Sequence, residues 1–125
     1  MSSKMTPSGI IITQGDTLNI PLKFAYNQGG GVKVPINLEH AILRMQVRAS
    51  ADAQPLIKKE ISEHFDAAGG RTVMQLTAED TNIPVGTYYT DMEIQFIDGQ
   101  KFTFFPYKAG CKAYFKVVEQ FTKGN

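Results

Sequence analysis

The sequence has a single cysteine, Cys111, and no tryptophan. One cysteine excludes a disulfide within the chain and a zinc site built from several thiolates. The two histidines, His40 and His64, lack the HxxxH or HxH spacing that places two ligands on one side of a helix or strand, so we predict no metal site. Nothing in the sequence pairs a histidine with Cys111, which favours a small, partly buried side chain over a nucleophile.

Long apolar runs are absent as well. The longest one near the N-terminus, residues 10–12, is far shorter than the apolar core of about 7–15 residues in a signal peptide. No stretch approaches the roughly 20 apolar residues that cross a bilayer. We therefore expect a soluble chain made in the cytoplasm, without a signal peptide, a transmembrane segment or a membrane partner.

Neither sign of charge is in excess, since the formal net charge is +1 and the isoelectric point is about 7.8. A protein that binds nucleic acid usually carries a strong basic excess on one face, so we predict no nucleic-acid partner. A net charge this close to zero also does little to keep copies of the chain apart.

No group of residues has the spacing of an active site. The run Gly29-Gly30-Gly31 shares only its composition with phosphate-binding loops, because no Lys-Ser/Thr pair follows it. Asp91 and Glu93 share the outer face of a predicted strand, and a domain of this size offers no obvious cleft for a pair of catalytic carboxylates. We predict no catalytic residue and no cofactor.

Alternation of apolar and polar residues is the pattern that the chain does contain. It runs through residues 18–26 and again through residues 87–97, as expected for strands with one buried face. The pair Asp98-Gly99 after the second stretch is a strong hairpin signal. Residues 38–48 also fit a helical period, but their regular polar alternation and poor caps favour a strand.

These patterns predict a single all-β domain over residues 9–125, preceded by a flexible tail at residues 1–8. We count about seven or eight strands, arranged as a two-sheet antiparallel sandwich. One short helical turn is expected near residues 77–81, where Thr77 and Asp80 resemble a capping box with Asp in place of Glu.

Two of the predicted strands have features of sheet edges. Pro21 has no N–H to donate, which places its strand at an edge or beside an interrupted partner. The stretch 55–62 is short and rich in lysine, which discourages pairing with other chains.

The order of short motifs resembles that of a known family. The motifs in question are Gly15-Asp16-Thr17, Val34 to Leu38, Leu76 to Thr81, Ile83 to Tyr88, Asp91 to Ile94, Asp98-Gly99, Phe102-Thr103-Phe104 and Val117 to Thr122. In this order they are similar to immunoglobulin-like domains that build phage tails and baseplates, in particular the N-terminal domain of baseplate upper proteins. The resemblance covers most of residues 9–122.

That resemblance implies an immunoglobulin-like sandwich and a non-enzymatic, structural role in a phage or prophage virion. The chain would be located in the tail, assembled with copies of itself and with other tail or baseplate proteins.

Apolar residues on both faces of several predicted strands favour a protein–protein interface. The predicted interface residues are Ile10, Ile11, Ile12, Ile97, Phe102, Phe104, Phe105 and Tyr107. Two alternatives remain. A β-bulge or a covering loop would shelter the second face, and exposed tyrosines such as Tyr88, Tyr89 or Tyr107 would suit a carbohydrate- or ligand-binding module.

Overall fold

A computed structural model describes residues 4–6, 9–50, 52–106 and 113–119. Within these residues the chain forms strands and turns and no helix, so the predicted all-β class is confirmed. The strands are β1 (Lys4–Thr6), β2 (Gly9–Thr13), β3 (Leu18–Lys23), β4 (Ala25–Gly29), β5 (Val32–Pro35), β6 (Ile42–Arg48), β7 (Ile57–Ile61), β8 (Arg71–Leu76), β9 (Gly86–Gln95), β10 (Lys101–Phe105) and β11 (Ala113–Val118).

Seven strands form the main sheet, in the order β1-β2-β11-β9-β6-β7, with β10 paired to β9. All of its pairs are antiparallel except β2 with β11. The central strand β9 is ten residues long, and β11 pairs with its first half while β10 pairs with its second half. Its side chains alternate as predicted, with Tyr88, Met92 and Ile94 buried and Asp91 exposed.

The pair β3–β8 covers the inner face of the main sheet. Leu18 and Ile20 from β3, with Met74 and Leu76 from β8, belong to one buried cluster that also contains the inward residues of the main sheet. Phe105 and Phe115 are the largest fully buried side chains of this core. Burying such a side chain contributes about 1.5–3 kcal/mol. Two layers therefore enclose a single core, the arrangement of a sandwich-like fold.

Both predicted edges lie at free positions among the described strands. β7 ends the main sheet, and β3 pairs only with β8. The N–H of Phe24 donates to the carbonyl of Gly70 at 2.8 Å. Because the N–H groups of a strand point alternately to its two sides, those of Leu22 and Ile20 also point toward β8. The nitrogen of Pro21 points the other way, toward the side of β3 that has no partner strand. The missing N–H of the proline therefore removes no hydrogen bond from the sheet.

The backbone of β3 continues into β4, and its partner strand changes at Phe24. The N–H of Phe24 donates to the carbonyl of Gly70, the residue before β8. The carbonyl of Phe24 accepts the N–H of Ile36 at 3.0 Å, and Ile36 is the residue after β5. β4 and β5 then form a separate two-stranded hairpin. The structure therefore has eleven described strands where about seven or eight were predicted.

Two further segments differ in detail from the sequence expectations. Of residues 1–8, Lys4–Thr6 pair with β2 as strand β1, and the others lie outside the described residues. Near residues 77–81 the chain forms one hydrogen-bonded turn. The Thr77 N–H donates to the Asp80 carboxylate at 2.8 Å, and the Asp80 N–H donates to the Thr77 hydroxyl at 3.2 Å. This reciprocal pair is the capping-box contact that the two residue types predicted.

Candidate assembly surfaces

The three consecutive isoleucines predicted as interface lie on β2 and divide between its two faces. Ile10 and Ile12 are fully buried in the core, whereas Ile11 is 39% exposed on the outer face of the main sheet. Side chains alternate between the two faces of a strand, and one face of β2 covers the core, so only every second residue reaches the surface. Of the three, Ile11 alone is available to a partner.

The β9–β10 hairpin holds most of the remaining predicted residues. Ile97 is 75% exposed and Phe102 is 52% exposed, and the ring of Phe102 lies 6.0 Å from that of Phe96. Phe105 is buried in the core opposite Met92. Tyr107 lies outside the described residues. The tip of this hairpin therefore exposes an apolar surface made by Ile97 and Phe102.

A bulge in β10 explains how two adjacent phenylalanines are both sheltered. The register against β9 shifts between Thr103 and Phe105. Phe105 thereby reaches the core, while Phe104 packs edge-on against Phe24 with ring centroids 5.0 Å apart. A bulge places an extra residue on one strand and redirects its side chain. This is the sheltering arrangement that the sequence left open as an alternative for Phe104 and Phe105.

The β4–β5 hairpin, residues 25–35, is named the arm below. Every residue of β4 is exposed, as are Val32, Lys33 and Pro35 of β5. The three glycines at its tip all have positive φ and no heavy atom within 4 Å of the position a Cβ would take. The apolar side chains of Tyr26 and Val32 are 51% and 53% exposed. The arm therefore projects from the two-layered body with no core of its own.

The arm and the β9–β10 hairpin extend from the same end of the fold. β6 begins there at Ile42, which pairs with Gln95 where β9 ends. The contact of Phe24 with Phe104 joins the base of the arm to β10. Exposed apolar side chains from two hairpins are thereby concentrated at one end.

Polar side chains lie on the outer face of the main sheet along β7, β6 and β9. Arg44 bonds Glu60 at 2.8 Å and Glu93 at 3.3 Å, and its guanidinium also donates to Gln95 at 2.8 Å. The hydrogen bond to Glu60 is the main cause that raises the pKa of Arg44, and Glu93 adds to it. These contacts span β7, β6 and β9 and form an ordinary solvated ion-pair network.

An aromatic pair lies beside that network. Tyr89 on β9 and Tyr114 on β11 are directly paired, and their ring centroids are 5.5 Å apart at an interplanar angle of 38°. Asp91 follows on the same face of β9. Partial burial and the neighbouring Glu93 carboxylate raise the pKa of Asp91, and Arg48 opposes the shift. Two outward tyrosines thus lie beside a carboxylate and an arginine, a candidate ligand-binding surface.

The remaining candidates for chemistry have structural partners. His64 bonds the Thr72 hydroxyl and the Ala41 carbonyl, both at 2.8 Å. His40 is exposed beside Glu39. Among the described residues, no group of three or more His, Cys, Asp or Glu side chains could hold a metal ion, and Cys111 lies outside those residues.

Sequence reasoning missed the arm and the Tyr89–Tyr114 pair. Gly29-Gly30-Gly31 marked the arm's tip, but alternation through residues 18–26 indicated a core strand and hid its exposure. The tyrosine pair requires knowing that β9 and β11 are neighbours, which no local pattern reveals.

No protein-family model matches the sequence, and no curated protein matches it. In the described part of the chain, no helix is long and apolar enough to span a membrane.

Proposed function

We propose that this protein is a non-enzymatic structural component of a phage or prophage tail or baseplate, with an immunoglobulin-like fold. It assembles with copies of itself and with other virion proteins. The observation that carries the proposal is the end of the fold at which Tyr26, Val32, Ile97 and Phe102 are all exposed.

Physical reasoning supports an interface at that end. Single exposed apolar residues are ordinary on a protein surface, but a concentration of them on projecting hairpins is a mark of an interaction site. Aromatic residues are enriched in interfaces because they bury a large area at low entropic cost. A net charge of +1 opposes self-association very little.

Sedimentation velocity and small-angle scattering over a wide concentration range test the assembly part. We expect the wild type to self-associate and the double variant Ile97→Ser, Phe102→Ser to do so much less. The control is Tyr114→Ser, which removes an exposed apolar side chain from the outer face of the main sheet, away from both ends of the fold. A strictly monomeric wild type at high concentration would contradict the proposal.

The location in a virion has a separate test. Genes for tail-tube, tape-measure or baseplate proteins beside this one would support it. Purified particles from that phage should then contain the chain in a fixed number per tail. A gene surrounded only by cellular metabolic genes would contradict it.

The tyrosine pair supports a second candidate, a carbohydrate-binding module. Tyr89 and Tyr114 present rings on a sheet face next to Asp91 and Arg48, groups that bond sugar hydroxyls. A glycan array with the wild type and with Tyr114→Ala tests it. Binding that the variant loses would favour this function, and the absence of any bound glycan would exclude it.

A further inference from the structure

The arm, residues 25–35, lacks the packing that stabilises the rest of the fold. A two-stranded hairpin alone is at best marginally stable in water and becomes stable when packed against another surface. Its base is fixed by the hydrogen bond of the Phe24 N–H to Gly70 and by the contact of the Phe24 ring with Phe104. Tyr26 and Val32 along its length are half exposed. A surface that covers these side chains would complete the arm as the core completes the other strands.

The charge of the arm indicates the chemistry of that surface. Lys23 at its base and Lys33 on β5 line one shallow cavity of about 410 Å³, together with Tyr26 and Asn27. No Asp or Glu occurs between Thr17 and Leu38. The arm is therefore apolar and cationic, and its complement is a surface that carries carboxylates.

Carboxylates of this kind lie at the opposite end of the same fold. β3 runs from Leu18 at that end to Lys23 at the arm. Two turns meet there, because the N–H of Gly15 bonds the carbonyl of Thr81 at 3.3 Å. They carry Asp16 and Glu79, neither of which makes an ion pair with another described residue. The arm and these two turns thus carry opposite charges.

We propose that the arm of one copy docks on the acidic turns of a second copy. This deepens the self-assembly proposed above and rests on it. Arm and turns lie at opposite ends, so the contact is head-to-tail and uses a different patch on each partner. Contacts of this kind build rings when the rotation closes and filaments when it does not.

Charge reversal on the full chain tests the arm, with association followed by sedimentation velocity. Lys23→Glu, Lys33→Glu should raise the dissociation constant of self-association by roughly tenfold or more. The matched control, Lys58→Glu, Lys116→Glu, makes the same change in net charge at two exposed lysines away from the arm, and it should leave association nearly unchanged. Each variant is first shown to retain the wild-type melting temperature and circular dichroism.

The acidic turns are tested by the reverse exchange. Asp16→Lys, Glu79→Lys should weaken association as the arm variant does, and the chain that carries all four changes should regain most of it. The docking would be overturned if the arm variant associated as strongly as the wild type, or if the fourfold variant did not regain association. Either result would leave self-assembly itself in place. A wild type that never associates would overturn both.

Discussion

The ring of Phe24 packs edge-on against the ring of Phe104, with centroids 5.0 Å apart and an interplanar angle of 86°. Phe24 is the residue at which the β3–β4 backbone changes partner from β8 to β5. Phe104 is the residue that the bulge in β10 redirects. One aromatic contact therefore joins the base of the arm to the main sheet.

Removing either ring should destabilise the fold. We expect Phe24→Ala and Phe104→Ala each to lower the free energy of unfolding by about 2 kcal/mol, less than for a fully buried phenylalanine because both rings are partly exposed. The double variant should cost less than the sum of the two by about 1 kcal/mol, the coupling of an edge-to-face pair. Urea denaturation of the four proteins measures this. Strict additivity would show that the contact contributes nothing.

The Asp80 carboxylate should make stability depend on pH in the acid range. Its burial acts to raise its pKa, but the Thr77 N–H and the Lys59 ammonium outweigh that effect and lower the pKa. A lowered pKa means that the stabilisation is present above the unfolded value of about 3.9 and is lost as pH falls through the folded value. Asp80→Ala should lose about 1 kcal/mol at neutral pH.

Thermal unfolding of the Asp80 variant between neutral pH and pH 2 or so checks the sign. The difference from wild type should shrink as the pH falls. Glu79→Ala is the control, since Glu79 is an exposed neighbour in the same turn, and it should change stability by less than about 0.5 kcal/mol. A difference that stays constant with pH would contradict a charged role for Asp80.

Asp91 should show the opposite dependence. Partial burial and Glu93 raise its pKa, so its charged form disfavours the folded state at neutral pH. Asp91→Asn should therefore stabilise the protein, by less than about 1 kcal/mol because the site is solvent-screened. The gain should vanish as the pH falls below the ordinary aspartate value. Glu63→Gln, at an exposed glutamate, is the control for removing one negative charge.

The sequence predicted those parts of the fold that depend on local alternation. Tyr88, Met92 and Ile94 face the core and Asp91 faces outward because successive side chains of a strand point to opposite sides. The same rule applied to Ile10, Ile11 and Ile12 assigns only one of the three to the surface. Predicting all three as interface took no account of this alternation.

The unpredicted parts depend on contacts between residues far apart in the chain. Phe104 and Phe105 are both sheltered only because Phe24, some eighty residues earlier in the sequence, covers the bulged ring. The exposure of the arm follows from β8 beginning at Arg71, which leaves β4 without a partner other than β5. Gly69-Gly70 marks the start of β8, but no local pattern shows that β3 and β8 are partners, so the candidate docking element was read as part of a core strand.

His64 should be important for stability rather than for chemistry. A carbonyl only accepts, so Nε2–H donates to the carbonyl of Ala41, and Nδ1 forms a hydrogen bond with the Thr72 hydroxyl. Thr72 and Ala41 are both buried. His64→Ala leaves the two groups without these bonds and should cost about 2–3 kcal/mol. His40→Asn, at an exposed position with positive φ, should cost little by the same denaturation measurement. An equal loss in both variants would contradict the assigned role.

Two glycines pair with β11, one on each side, and they should respond differently to alanine. A Cβ on Gly9 would lie 2.5 Å from the backbone oxygen of Tyr114, whereas a Cβ on Gly86 would meet nothing closer than 3.8 Å. Because the oxygen at Gly9 belongs to the backbone of β11, the parallel β2–β11 pair must separate to admit a methyl group. Gly9→Ala should therefore cost about 2 kcal/mol or more. Gly86→Ala should leave stability unchanged or raise it by about 0.5 kcal/mol, since alanine restricts the unfolded chain.

Hydrogen exchange localises the effect of the two glycine substitutions. In Gly9→Ala the amides of β2 should exchange faster than in wild type, while those of the β6–β9 pair change only through the lower global stability. In Gly86→Ala both sets should exchange as in wild type. Equal protection of β2 in the two variants would mean that the backbone of β11 yields to the methyl group, and the parallel pair would then be more adaptable than its close approach at Gly9 implies.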